Sequence, residues 1–458
     1  MEILELELSR PGPLNGELIL PPDEEYFYYC LFMASLSTGS TELLHFQTTP
    51  QIDLLVEWFH TLKITTLIEP ETLVIIGQGA QFRPDYQDVS FELSRHTRVN
   101  VLFVEFLRSS DWPLVQLKGT SLHLGQLSDE LSNLQGYILD SKEGTLDIQF
   151  EQSKELKSEY KFKQSSSIAR DIIFLRCLLD EHSCLVQEPF AINDSFIQVM
   201  NFFGIKTNID RQGNQELSEL EKRLSRLRGI KTEKKSICSI DGFKQINAKQ
   251  IRLPADPDIA SALTVLGCLI PKSYFILKNV SVNPSRSGIF TSLKRLGFKV
   301  DSLRRKERQG DAIADIEVQF TRNRLARKIG GESMLSSTRQ YPILAIAACF
   351  ADGESILRDI PLVHENQIMR LHHLATNLKH TGAEIGEFDE GIVIRGREEC
   401  DSNTYQAQGD EILALALYVL SRTTHGKSHF MSIDLIDKYF PSFIPYIELL
   451  ETTQASED

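Results

Sequence analysis

Along this chain, apolar residues switch between helical spacing and strand-like alternation in a recurring order. A helical stretch ends near a glycine or short turn and leads into two short strands. Five copies are clear in the sequence. Leu54–Lys63 leads into Ile64–Ile68 and Leu73–Ile76, and Leu131–Gly136 into Tyr137–Leu139 and Thr145–Phe150. Ile197–Gly204 leads into Ile205–Ile209, Phe290–Gly297 into Phe298–Val300 and Ile316–Phe320, and Leu374–Gly382 into Glu384–Ile385 and Ile392–Arg395. Each is preceded by a further strand and helix. Gly16–Leu20 reads as a strand, Glu24–Leu36 as an apolar helix and Ser40–Leu44 as the next strand, with a helix from Ile52. Later come Gln250–Leu253, Asp258–Cys268, Tyr274–Val280 and Ser287–Leu296 in the same order, which recurs from Gln340 through Arg395. The repeating unit is therefore β-α-β-α-β-β.

The first helix of each unit is apolar nearly all round and is expected to be buried, whereas the second has a polar face and is expected outside. A ring of such units places sheets outside and helices within, and three units per domain is a reasonable packing number. At 458 residues the chain is too long for one compact core, so two domains are expected.

Charge narrows the functional classes. The formal net charge is −14 and the pI about 5.4. Such a surface argues against non-specific nucleic-acid binding and against anionic membranes. No apolar run approaches bilayer-spanning length; the longest is near Ile343–Ala351. The N-terminal Met1–Leu8 alternates acidic and apolar residues as a strand does and does not read as a signal peptide. Seven scattered Cys, with no CxxC pair and no Cys/His spacing of a zinc site, read as reduced thiols of a cytoplasmic protein without a metal. Two segments stand apart. Asn214–Lys235 carries Leu217, Leu220, Leu224 and Leu227 at helical spacing and reads as a solvated amphipathic helix, or else a partner-binding one. The basic clusters Arg304–Lys306 and Arg322–Lys328 read as solvated turns.

From Leu253 onward, individual residues carry further information. Leu277–Gly288, with Asn283-Pro284-Ser285-Arg286-Ser287-Gly288 at its end, closely resembles the EPSP synthase family (3-phosphoshikimate 1-carboxyvinyltransferase). Leu293–Gly297, Gly310–Ile316, Pro342–Ala348 and Lys438–Pro441 add to the resemblance, which covers nearly the whole chain and weakens before Gln250. It implies a two-domain inside-out α/β barrel, each domain built of three β-α-β-α-β-β repeats with buried helices and outer sheets. The expected domains are residues 20–250, and 1–19 with 251–458, joined by chain crossings near Leu18–Pro22 and Gln250–Pro254. The resemblance also implies a monomer that needs no cofactor or metal. It binds phosphoenolpyruvate and 3-phosphoshikimate between its domains and expels phosphate as it joins them. Both substrates are polyanions, so the pocket needs Arg and Lys, ideally at helix N-termini, and carboxylates for proton transfer.

Set against the family's motifs, this chain keeps little of that chemistry. Pro21–Glu25 stands at the Pro-Gly-Ser-Lys-Ser motif, so Glu24 replaces a phosphate-binding Lys, Glu25 a Ser, and Tyr29 the following Arg. At an effective dielectric near 20, a unit charge ~4 Å away is worth roughly 4 kcal/mol, and reversing its sign costs about twice that. Ser94–Thr97 stands at Asn-Ala-Gly-Thr: Thr97 survives, while Asn100 takes an Arg position, with Arg95, Arg98 and Lys118 as displaced substitutes. Gly125 falls at or near the Arg of the second repeat. Arg339 and Gln340 replace an Asp-Glu pair, His364–Ile368 replaces Lys-Glu-Ser-Asp-Arg, and Glu411 and Ile412 replace the His-Arg of Gly-Asp-His-Arg.

Three elements remain. Ser165, Ser166 and Ser167 match the family's phosphate-holding Ser-Ser-Gln, Glu365 a catalytic Glu, and Lys438 a Lys on the phosphoenolpyruvate side. Each also has a plain structural role open to it: a helix N-cap, a solvated helix-start acid and a snorkelling lysine. The reversed charges predict an ion pair between Arg339 and the Asp23–Glu25 triplet. Two functions follow. One is the family's carboxyvinyl transfer in aromatic amino-acid (chorismate) biosynthesis. The alternative is a catalytically inactive member that binds another small molecule or a protein partner.

Overall fold

The computed structural model describes residues 6–134, 136–151, 156–189, 193–212, 235–241, 245–308, 311–362 and 365–452. The amphipathic segment from Asn214 to Lys234 and His364 lie outside these residues. The chain forms two compact units. One, the first unit, comprises Glu25–Leu44 and Leu54–Arg252; the second comprises Met1–Glu24, His45–Asp53 and Leu253–Asp458.

Five four-stranded sheets share one plan: a parallel pair followed by an antiparallel hairpin. In the first unit they are built on Thr38–Leu44, Leu114–Lys118 and Cys184–Glu188, each paired in parallel on one side and antiparallel on the other. In the second unit the corresponding strands are Tyr274–Ser281 and Glu354–Arg358. A three-stranded sheet completes the second unit: Ser428–Phe430 runs parallel to Thr404–Tyr405 and antiparallel to Leu6–Leu8. Each repeat wraps its sheet with one inner and one outer helix, so the fold is a two-domain inside-out α/β barrel.

The lead strands of the first and fourth repeats are exchanged. Asn15–Ile19 lies parallel to Tyr274–Ser281, and Gln250–Arg252 lies parallel to Thr38–Leu44. Each strand stays with the unit the chain is leaving, and the crossing follows it. Gln250–Arg252 therefore does not lead the fourth repeat, as the order of elements suggests. The two crossings are bonded to each other: Asp23 N donates to Pro254 O at 2.9 Å, and Asp256 N to Pro21 O at 2.8 Å.

The inner helices are Glu24–Ser35, Thr97–Arg108, Ser167–Leu179, Pro257–Leu269, Tyr341–Cys349 and Glu411–Ser421. Tyr341–Cys349 and Glu411–Ser421 are buried at every position, so their apolar sequences have no solvent face to satisfy. Outer helices bury one stripe; Ser121–Asn133 turns His123, Leu124, Leu127 and Leu131 inward. Two outer helices end at Gly297 (φ 83°) and Gly382 (φ 77°), where the left-handed turn favours glycine. The first unit's core is aromatic, with Trp58 stacked on Phe103 at 4.2 Å and Phe32 edge-on to Phe106 at 5.1 Å. The second unit's core is largely aliphatic. The seven Cys are buried. No helix among the described residues is long and apolar enough to cross a membrane.

The structure corrects the turn read at Arg304–Lys306, and in Arg322–Lys328 it leaves Arg322, Arg327 and Lys328 exposed but buries Arg324. Arg304 and Arg305 lie inside the continuous strand Lys299–Arg308, whose register shifts between Leu303 and Lys306. A bulge absorbs the irregularity that reads as a turn in sequence. Arg324 is not solvated: its guanidinium donates to Phe350 O at 2.8 Å and Thr321 O at 3.1 Å in a buried site.

Beside the crossing, the Asn283–Gly288 segment closes a turn in which Asn283 Oδ1 accepts from Ser285 N at 3.0 Å and Asn283 O from Ser287 Oγ at 2.8 Å. The turn delivers Arg286, whose NH1 lies 2.7 Å from Asp23 Oδ2. Neighbouring Asp311 is buried, and burial pushes its carboxyl up to about 7, with Asp23 adding to the rise while Ser281 and Arg286 oppose it. Folded Asp311 thus holds its proton above the pH at which the unfolded chain loses it, so stability falls as pH rises from about 4 to about 7. Asp311→Asn should remove this slope and stabilise the protein at pH 8 by up to about 4 kcal/mol. Urea midpoints at pH 5 and pH 8 check this; an unchanged difference between the two pH values contradicts it.

Candidate functional site

Buried helix N-termini carry partial positive charge and unsatisfied N–H groups, which makes them natural seats for anions. Three such ends meet in the first unit, those of Glu24–Ser35, Thr97–Arg108 and Ser167–Leu179. The anions seated there are the protein's own side chains. Glu25 Oε1 accepts from Tyr29 OH at 2.8 Å and from Asn193 Nδ2 at 2.8 Å. Arg98 NH1 lies 3.6 Å from Glu25 Oε1 and 3.3 Å from Asp171 Oδ2, and it donates to Asn193 O at 3.1 Å. Arg98 NH2 donates to Ser167 Oγ. His96 Nδ1 is 4.0 Å from Glu25 Oε2.

A second arginine braces this arrangement from within the inner helix. Arg170 is completely buried and bonds Asp171 Oδ1 at 3.2 Å, Glu188 Oε1 at 2.6 Å and Asn193 O at 2.8 Å. Burial works against the charge on Arg98, but Tyr29, Glu25 and Asp171 outweigh it and hold its pKa above the ordinary value. Burial lifts Asp171 to about 6, against the pull of Arg170 and Arg98, so it remains ionised at neutral pH. Burial, followed by Glu25, raises Tyr29, which stays a neutral donor. Arg98 and Arg170 together contact the three carboxylates Glu25, Asp171 and Glu188.

The second unit repeats the arrangement with different residues. Asp256 caps Pro257–Leu269, accepting from Asp258 N and Ile259 N, and Asp410 caps Glu411–Ser421, accepting from Leu413 N. Arg339 donates to Asp258 Oδ2 at 2.6 Å and to Glu411 Oε1 at 3.0 Å, while Gln340 Nε2 reaches Asp258 Oδ1 at 2.7 Å. Arg370 binds the Asp410 carboxylate. Burial opposes the charge on Arg339, but Asp258 and Glu411 raise its pKa well above the ordinary range. The expectation that Arg339 pairs with the Asp23–Glu25 triplet is therefore corrected: its partners are Asp258 and Glu411, held by neighbouring helix N-termini of its own unit.

The remaining candidates fall into place individually. Ser166 is the N-cap of Ser167–Leu179, accepting from Ala169 N at 3.2 Å. Thr97 Oγ1 donates to Gln126 Oε1 at 3.2 Å. Asn100 exchanges hydrogen bonds of 2.9 and 2.8 Å with the Ser94 backbone. Ser165 lies just before that N-cap, and Gly125 lies within Ser121–Asn133. Glu24 is buried and accepts from Thr49 Oγ1 at 3.4 Å. Ile412 is fully buried, whereas Ile368 is exposed on the helix Glu365–Lys379. Glu365 opens that helix, and its side chain lies outside the described residues. Lys438 is exposed, its ammonium 5.1 Å from the Tyr439 ring. Of the displaced cations, Arg98 is engaged internally, Arg95 is buried, and Lys118 is exposed at a strand end. Among the described residues no cluster of His, Cys, Asp and Glu could hold a metal.

Sequence reasoning missed Arg170, Asp171, Asp258, Glu188 and Arg370. Arg170-Asp171 carried a signal, a charged pair inside an otherwise apolar helix, where charge must be partnered.

A family profile described as EPSP synthase (3-phosphoshikimate 1-carboxyvinyltransferase) matches residues 8–447. A 3-phosphoshikimate 1-carboxyvinyltransferase from Persephonella marina is 22% identical over 449 residues, 97% of this chain and 99% of that protein. One from Desulforudis audaxviator is 24% identical over 443 residues, 96% of this chain and 97% of that protein. Among solved structures, EPSP synthase from Acinetobacter baumannii superposes with a TM-score of 0.74 at 16% identity, covering 97% of this chain and 98% of that one. The enolpyruvyl transferase NikO from Streptomyces tendae gives 0.65 at 13% identity, covering 97% of both.

Arg98→Ala should destabilise the protein by about 3–5 kcal/mol, because it leaves Glu25 and Asp171 buried without their shared partner. Glu25→Gln in the same chain should recover part of the loss. A double-mutant cycle in urea checks this; strictly additive effects contradict it.

Proposed function

The chain belongs to the EPSP synthase family, and we propose that it is a non-catalytic member, one that keeps the fold but does not transfer the carboxyvinyl group of phosphoenolpyruvate to 3-phosphoshikimate. Its role is to bind a less anionic small molecule or a protein partner. The observation that carries this reading is the closed ion pairing of Arg98 with Glu25 and Asp171 at the first unit's inner-helix ends. A phosphate taking that seat must displace a carboxylate from Arg98. The charge-reversed pairing of Arg339 with Asp258 and Glu411 supports the same reading in the second unit.

The loss extends to proton transfer. At the family's Asp-Glu position, Arg339 cannot act as a base, and Gln340 is bonded to Asp258. Lys438 and the Ser165–Ser167 run remain, but neither supplies several cations converging on one phosphate. A fold can outlive its chemistry, because packing and catalysis rest on different residues.

The family reaction, in aromatic amino-acid biosynthesis, is the second reading. It is favoured by the family match across residues 8–447. Titration calorimetry with 3-phosphoshikimate, with and without phosphoenolpyruvate, separates the two readings, with phosphate release measured in parallel and the Persephonella marina relative as positive control. The expected result is no saturable heat up to ~1 mM ligand and phosphate release at the protein-free rate. Saturable binding with release of phosphate contradicts the proposal.

A further inference from the structure

The second unit's sheet of Asn15–Ile19, Tyr274–Ser281, Asp311–Gln319 and Lys299–Arg308 carries a hollow of about 310 Å³ far removed in chemistry from the helix ends above. Its lining includes Ile19, Lys278, Asn279, Arg304, Ile313 and Asp315. Two matched irregularities shape it. Both strands flanking Asp311–Gln319 shift register beside the hollow, one between Leu277 and Val280, the other between Leu303 and Lys306. At each shift a non-glycine residue takes the left-handed region, Asn279 at φ 55° and Arg304 at φ 50°. Such residues are uncommon, and bulges that re-aim a side chain concentrate near functional sites.

Both bulges converge on Asp315. Its Oδ1 accepts from Asn279 N at 3.2 Å. Its Oδ2 lies 3.6 Å from Lys278 Nζ and 3.7 Å from Arg304 NH1. These two separations are ion-pair distances beyond hydrogen-bonding range, so Arg304 and Lys278 retain N–H donors for the hollow. Lys278 also pairs with Glu17 Oε1 at 2.9 Å.

The lining therefore offers two cations, Lys278 and Arg304, one carboxylate, Asp315, and the apolar side chains of Ile19 and Ile313. A simple anion entering it meets Asp315 as well as the cations, and a simple cation meets Lys278 and Arg304. A molecule carrying one charge of each sign is matched on both sides. The volume is near the lower end of small-molecule sites, which begin at ~300 Å³, and suits an occupant the size of one amino acid. We propose that this hollow binds a free amino acid with an apolar side chain. Its carboxylate meets Lys278 and Arg304, its ammonium meets Asp315, and its side chain lies on Ile19 and Ile313.

The test is titration of the full chain with L-leucine and L-phenylalanine. The probes lacking one charge are 4-methylpentanoate and 3-phenylpropanoate (no ammonium), and isoamylamine and phenethylamine (no carboxylate). At least one amino acid should bind saturably, and its single-charge analogues should bind at least about tenfold more weakly. Arg304→Gly should weaken the amino acid by a similar factor. Glycine takes φ near +50° without strain, so this variant should keep its melting midpoint. Asp315→Asn should weaken the amino acid while leaving the carboxylate-only analogue unchanged. The proposal is overturned if neither amino acid binds, if the analogues bind equally well, or if Arg304→Gly binds unchanged.

Discussion

Each unit of this protein must neutralise a ring of buried helix N-termini. An inside-out repeat places one apolar helix per sheet in the core, and the inner ends bring their N–H groups and partial positive charge together. Something negative has to sit there. A protein can leave the position to a ligand or fill it with its own carboxylates. Here the second solution is used in both units, by Glu25 and Asp171 in one and by Asp258, Asp410 and Glu411 in the other. Carboxylates so deeply buried need cationic partners in turn, and Arg98, Arg170, Arg339 and Arg370 are the answer.

This solution explains how the fold accommodates acids at its inner-helix ends. An acidic residue in the first turn of a helix favours the helix, and a capping Asp such as Asp256 or Asp410 satisfies N–H groups that a ligand would otherwise meet. Acids at these helix starts therefore do not weaken the barrel. They draw guanidinium groups inward, as Arg98 shows between Glu25 and Asp171. Tyr29 completes the arrangement by donating a neutral hydrogen bond to Glu25.

Much of the fold was legible because its repeat is written in hydrophobic period. Apolar residues all round Tyr341–Cys349 and Glu411–Ser421 can only be core, and the glycines at 297 and 382 mark helix ends with a physical reason. The partner of Gln250–Arg252 was not legible, since a short strand's pattern is the same whichever sheet edge it joins. Nor was the bulge at Arg304, which looks like a charged turn until its register is known. At the site, Glu25, Tyr29 and Arg339 could be singled out from sequence, but not their partners. Arg339 was expected to reach acids distant in sequence, and instead binds acids that neighbouring helix ends bring beside it. Arg170-Asp171 went unread because one charged pair hardly alters the apolar character of its helix, although burial makes it a fixed brace.

The most direct test is a crystal structure of the protein soaked in inorganic phosphate. The account predicts that the inner-helix ends of the first unit hold no phosphate. It also predicts that Glu25 keeps its bonds to Tyr29 and Asn193, with Arg98 between Glu25 and Asp171. A phosphate bound to Arg98, with Glu25 turned away, would contradict it.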